Sequence, residues 1–155
     1  MLKPVDMEWA APDGDTPKVV RLLVYTRTIQ GLPPTPHRER HWGVTWHIEP
    51  TRNAPVLHRI IHLVQEPGRD HFTNWGPITN VPGSETYTLN RVVPIATLTL
   101  PQRQQLERLS REATVYKANG DWNCQDWIVD ILRSAVDHGL ISHLDVDRVL
   151  QAAST

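Results

Sequence analysis

"HWGVTWHIEPTRNAPVLHRIIHLVQE", residues 41–66, decides the fold. In 41–49 the apolar Trp42, Val44, Trp46 and Ile48 alternate with His41, Gly43, Thr45 and His47. That period of two belongs to a strand with one buried face. "PTRNAP" (50–55) is a turn, and 56–66 is the next strand, with His58, Ile60, His62 and Val64 on one face. The two segments form a hairpin that gathers His41, His47, His58 and His62 on neighbouring strands.

Outward from this hairpin, residues 1–17 read as an irregular lead-in and "KVVRLLVYTR" (18–27) as the first strand. Residues 30–40 are a loop set by Gly31 and three prolines. Residues 67–85 carry few strand signals and form a long loop, of the kind that is often functional or mobile. Residues 86–100 are one strand or two, and Pro94 demands a break, a bulge or an edge position. The period then changes. Residues 100–118 read as a helix with Pro101 in its first turn, where a missing N–H costs little. Trp127, Ile128, Ile131, Leu132, Ala135 and Val136 recur at helical spacing until Gly139 ends the run after His138. Residues 142–154 form a last short helix with Ser142 as N-cap and Asp145 three residues on. Strands first and helices last predict one α+β domain over 18–155, an antiparallel sheet packed against C-terminal helices.

The totals bound the function. The 155 residues suit one domain with a moderate core. At 39% apolar and 21% charged, the chain is neither a disordered polymer nor a membrane protein. No apolar run approaches the roughly 18 residues of a membrane span, so no integral membrane segment is expected. The N-terminal stretch lacks the apolar core of a secretion signal. A single cysteine makes no internal disulfide, and a reducing cytoplasm is the expected location. A formal net charge of −1 with no lysine or arginine cluster argues against a nucleic-acid partner.

The one cysteine lies in "GDWNCQDWIVDIL", residues 120–132. Asp121 or Asn123 is a good helix N-cap, and either puts Cys124 in the first turn. Unpaired N–H groups and the helix field there favour a thiolate, so the spacing predicts a lowered thiol pKa. Free cysteine is also a common small core filler, and that reading stands beside the nucleophilic one. A nucleophile needs a base, and the base needs an orienting group. Of the eight histidines, His37, His71, His138 and His143 fall in loops or at helix junctions. His41 opens its strand beside Gly43, while His58 and His62 share a face of the next one. A zinc site is a second use for histidines, but no standard metal spacing is present, and the reading includes no metal and no cofactor.

"RHWGVTW", then "RIIHLVQ", and much later "WNCQDWIVDIL" together resemble the circularly permuted papain-like superfamily. The likeness is to the lecithin:retinol acyltransferase type and its NlpC-type peptidase relatives. The "NCQDW" ending also looks like that of some small fungal proteins. The resemblance implies a permuted papain-like fold. It also implies a site in which Cys124 is the nucleophile, His41 the base and His62 the orienting third member, with His58 the alternative for that role. Gln125 and Asp126 depart from the acid and histidine that follow the cysteine in the acyltransferases. The function so implied is cysteine-dependent acyl transfer, to water, an amine or an alcohol, from a small-molecule or peptide-like amide, ester or thioester. The backbone N–H of Cys124 would steady the oxyanion. Trp122, Asn123, Gln125, Trp75 and His58 are the candidate substrate contacts, and 67–85 a candidate lid. Two other uses of the same pocket remain open at this stage: a small-molecule cyclase or isomerase, and a binding or scaffold domain without chemistry.

Overall fold

Alternation along 42–48 is realised as a central strand with Trp42, Val44, Trp46 and Ile48 buried on one face and His47 exposed on the other. The computed structural model describes residues 3–26, 32–49 and 55–155. In chain order its elements are β1 (Lys18–Val24), a short 3-10 turn (His37–Glu39), β2 (Trp42–Ile48), β3 (Leu57–His62), β4 (Val64–Gln65), β5 (Phe72–Thr73), β6 (Ile78–Asn80), β7 (Arg91–Leu98), α1 (Leu100–Glu112), α2 (Cys124–Asp137) and α3 (His143–Ala153). Five strands form one sheet in the order β6-β3-β2-β1-β7, every neighbouring pair antiparallel. The chain is therefore α+β, with the helices covering one face. Trp42, Val44, Trp46 and Ile48 point into that layer, where Trp127, Ile128, Ile131 and Leu132 of α2 and Leu106 of α1 meet them. Among the described residues no helix is long and apolar enough to cross a membrane.

Two charged clusters hold the lead-in onto this frame. Arg103 of α1 is fully buried. Its Nε and Nη2 donate to the Asp13 carboxylate at 2.8 and 3.1 Å, and the remaining hydrogens go to the carbonyls of Gly14, Thr16 and Leu98. Arg59 of β3 is also buried and pairs with Glu107 of α1, with Asp6 and with Glu8. The N–H of Met7 donates to the carbonyl of Thr79. Residues 6–8 thereby lie along the outer edge of β6 and shield an otherwise open sheet edge.

Four sequence expectations need correction. Residues 56–66 are not one strand: pairing with β2 ends at His62, Leu63 drops into the core, and β4 leaves to pair with β5 in a separate two-stranded sheet. The stretch 67–85 is not strand-free, since it holds β5 and β6, and β6 completes the main sheet against β3. It is tied down at two places, which removes the motive for treating it as a free lid. The strand read at 86–100 begins only at Arg91; Pro94 is accommodated because β7 is an edge strand and its register with β1 shifts between Val20 and Arg21. The α1 helix stops at Glu112 rather than 118: Ala113 turns extended, and the β-branched Thr114 and Val115 follow. The turn at 50–55 lies outside the described residues apart from Pro55, as does Gly31 of the first loop.

Candidate active site

Asn123 is the N-cap of α2 and settles the choice left open with Asp121. Its side-chain oxygen accepts from the N–H of Gln125 at 2.9 Å, while the Asp126 carboxylate accepts from the N–H of Asn123 at 2.8 Å. This reciprocal capping box fixes Cys124 as the first helical residue. At the far end His138 caps the helix, and Gly139, at φ +72°, takes the left-handed turn that a side chain disfavours.

Cys124, His41 and His62 all line one cavity of about 810 Å³. The two histidines meet because of the hairpin register. Gly43 pairs with His62, which sets His41 diagonally across from His62 on the same sheet face. A Cβ on Gly43 would stand 3.2 Å from Cδ1 of Ile60 and 3.5 Å from Cβ of His62, so glycine leaves this corner uncrowded. His41 Nε2 lies 3.0 Å from His62 Nδ1. Burial pushes the His41 imidazole down to about 4 and His62 down to about 3, the latter helped by the neighbouring His41 and His58. Both rings are neutral at pH 7, and a single proton occupies the bond between them. Among the described residues His41 Nδ1 makes no hydrogen bond. With Nε2 engaged, Nδ1 is the nitrogen left for a reacting proton. The Tyr25 ring packs at 5.1 Å from the other side of His41 and also lines the cavity.

The thiol differs from the sequence expectation. Burial pushes the Cys124 pKa up from its usual value, although the N–H groups of Trp42, Cys124 and Gln125 and the charge of Arg38 all pull it down. Loss of water outweighs the helix start, so the thiol and the two imidazoles that share the cavity are all neutral at rest. Of these amides the Gln125 N–H is already given to Asn123 Oδ1, so the Cys124 N–H at the mouth of α2 is the donor placed to meet negative charge.

The remaining candidates divide. Trp75 and Asn123 line the cavity, where Trp75 joins Leu63, Val64, Phe72 and Ile78 in an apolar wall. Trp122 does not; its ring packs edge-on against Phe72 at 5.7 Å and against Tyr116 at 5.2 Å. His58 is buried elsewhere, its Nδ1 2.6 Å from the Tyr87 hydroxyl and its Nε2 2.8 Å from Asn80 Oδ1. Burial pushes it down to about 4 despite the Asn80 contact. His62, not His58, is therefore the ring beside His41. Gln125 is buried, and its amide is spent on backbone carbonyls. Sequence reasoning missed Tyr25, the Trp42 N–H and Arg38. Tyr25 had a signal, since the end of β1 lies beside the start of β2, where the Tyr25 N–H donates to the His41 carbonyl. Among the described residues no three His, Cys, Asp or Glu side chains cluster to hold a metal ion. Comparison with known proteins finds no matching family model, no similar curated protein and no similar solved structure.

Proposed function

We propose that the chain is a cysteine-dependent acyl-transfer enzyme of permuted papain-like design, acting on an uncharged amide, ester or thioester. The observation that carries this reading is the shared cavity: one thiol at a helix start and two imidazoles 3.0 Å apart line the same space. In the reading, His41 Nδ1 takes the thiol proton as Sγ of Cys124 attacks the carbonyl carbon. The His41 Nε2–H donates to His62 Nδ1, which holds the tautomer that leaves Nδ1 free to accept. The carbonyl oxygen becomes an oxyanion facing the Cys124 N–H at the helix start. On collapse the leaving group departs with the proton from His41, and a thioester remains on Cys124. Water, an amine or an alcohol then gives its proton to His41, attacks the thioester, and the thiol is restored. Neutral rings and the apolar wall of Leu63, Val64, Phe72, Trp75 and Ile78 favour an acyl group without charge.

A second reading, a binding domain that keeps the fold without the chemistry, is favoured by the upward push on the Cys124 thiol. Peptide mass spectrometry after brief exposure to p-nitrophenyl butyrate separates the two. The enzyme reading expects one butyryl group on Cys124 in the folded protein, at a rate above that of the acid-denatured chain returned to neutral pH in urea. Equal or slower butyrylation of the folded protein sinks it.

A further inference from the structure

Gln125 follows the nucleophile directly and is 3% exposed. Its Nε2 donates to the carbonyl of His37 at 2.7 Å and to the carbonyl of Arg40 at 2.9 Å, so both amide hydrogens are used. Its Oε1 accepts from Arg38 at 3.4 Å. On the other side of Cys124, Asn123 Nδ2 donates to the carbonyl of Arg38 at 2.8 Å. Arg38 also reaches the Asp126 carboxylate and the carbonyl of Asp121. Every one of these bonds crosses between residues 121–126, around the start of α2, and residues 37–40, the segment that delivers His41 to β2. Arg40 is the residue before His41, and Gln125 is the residue after Cys124.

We infer that Gln125 is the positioning residue of the site: its amide clamps the carbonyls of His37 and Arg40 and so fixes His41 relative to Cys124. The inference rests on the acyl-transfer reading and adds a specific role to it. Only a neutral amide suits the place. A carboxylate there would turn lone pairs towards two carbonyl oxygens, and an alkyl group would take the side-chain donor from both, leaving the His37 carbonyl only the Arg40 N–H. Gln125 does not line the cavity, so its effect is on the reacting groups and not on substrate contact. A misplacement of about 1 Å between reacting groups costs about a hundredfold in rate.

The test measures butyrylation of Cys124 by p-nitrophenyl butyrate, followed by p-nitrophenolate release, in wild type, Gln125→Glu, Gln125→Leu and Arg38→Lys, each confirmed folded by circular dichroism. Both Gln125 variants are expected to lose about ten- to a hundredfold in kcat at pH 7 with KM held within about twofold. As the pH falls from about 8 to about 6.5, Gln125→Glu regains a donor by protonation of its buried carboxylate and its deficit against wild type shrinks, while that of Gln125→Leu does not. Wild-type kcat in folded Gln125 variants overturns the inference, and so does a loss confined to KM. Should neither Gln125 variant fold, Arg38→Lys decides, because it keeps the positive charge that acts on Cys124 and loses the forked bonds to Gln125, Asp126 and the Asp121 carbonyl. A fall in kcat of about threefold or more at constant KM supports the clamp, and an unchanged kcat overturns it. Failure of the two ideas is distinguishable. A wild type whose Cys124 reacts no faster than in His41→Ala removes the acyl-transfer reading, whereas His41-dependent acylation with indifferent Gln125 variants removes the clamp alone.

Discussion

Replacing Asp13 with alanine is expected to destabilise the fold by about 3–5 kcal/mol, the cost of leaving a buried charge without its partner. The Asp13 carboxylate accepts from Lys18 at 3.0 Å, from the Trp46 indole N–H at 2.9 Å and twice from Arg103. Burial alone would raise its pKa, but the Arg103 and Lys18 hydrogen bonds carry the net shift downwards. Arg103 and Trp46 are both fully buried, so neither recovers water when the carboxylate is removed. At this chain length the loss corresponds to a fall in Tm of roughly 10–15 °C. Asp13→Asn, which keeps one acceptor oxygen, is expected to lose less. A urea titration of the alanine variant that shows a change under about 1 kcal/mol would mean the lead-in is not part of the folded unit.

The second large effect is acid unfolding between about pH 6.5 and pH 4. Three imidazoles are buried with depressed values, His41 and His58 at about 4 and His62 at about 3. The unfolded chain binds protons at these positions below about pH 6.5, and the folded chain does not until it reaches the lower values. The stability present above pH 6.5 is therefore lost as the pH falls through that window. Each histidine contributes about 1.4 kcal/mol per pH unit, and three together about 4, which is comparable with the whole stability of a domain, about 5–15 kcal/mol. Glu107 and Asp130 oppose this, because burial raises both carboxyls and the folded state takes up those protons first. Two opposing groups against three deeply depressed imidazoles leave the sign unchanged. Urea midpoints at pH 7, 6 and 5 should fall steeply, and His58→Gln should flatten the slope by about a third. Midpoints independent of pH over that range would show that the rings are solvated.

The residues explain what the sequence could reveal. Trp42 to Ile48 alternate because one strand divides two environments, and that pattern survives in any context. The capped start of α2 is equally local, since Asn123 and Asp126 bond backbone within three residues. The α+β order followed from such local signals, while His62 as the partner of His41 came from the family resemblance, the hairpin itself leaving His58 as an alternative. What escaped depends on distant partners. The three-residue β6 is held by β3 and by Asp6, which accepts from the Thr79 N–H across 73 positions. Arg59 and Arg103 are buried because the distant lead-in supplies them with carboxylates, which no local pattern announces. The direction of the Cys124 shift was missed for the same reason: the helix start is visible in the sequence, but the segments that exclude water come from elsewhere in the chain. Gln125 looked like a substrate contact because an amide has the same chemistry whether it faces a ligand or a carbonyl of its own chain.

The most direct measurement is the single-turnover rate of Cys124 acylation by p-nitrophenyl butyrate, taken across pH in wild type and in His41→Ala. A neutral thiol–imidazole pair loses its first proton near pH 4 and its second above the ordinary thiol range, so the wild-type rate should be flat between about pH 6.5 and pH 8, above the window of acid unfolding. His41→Ala should be slower by about a hundred- to ten-thousandfold at pH 7 and rise with pH as a lone buried thiol does. Equal rates in the two proteins, both climbing tenfold per pH unit, would contradict the pairing of Cys124 with His41 and with it the proposed chemistry.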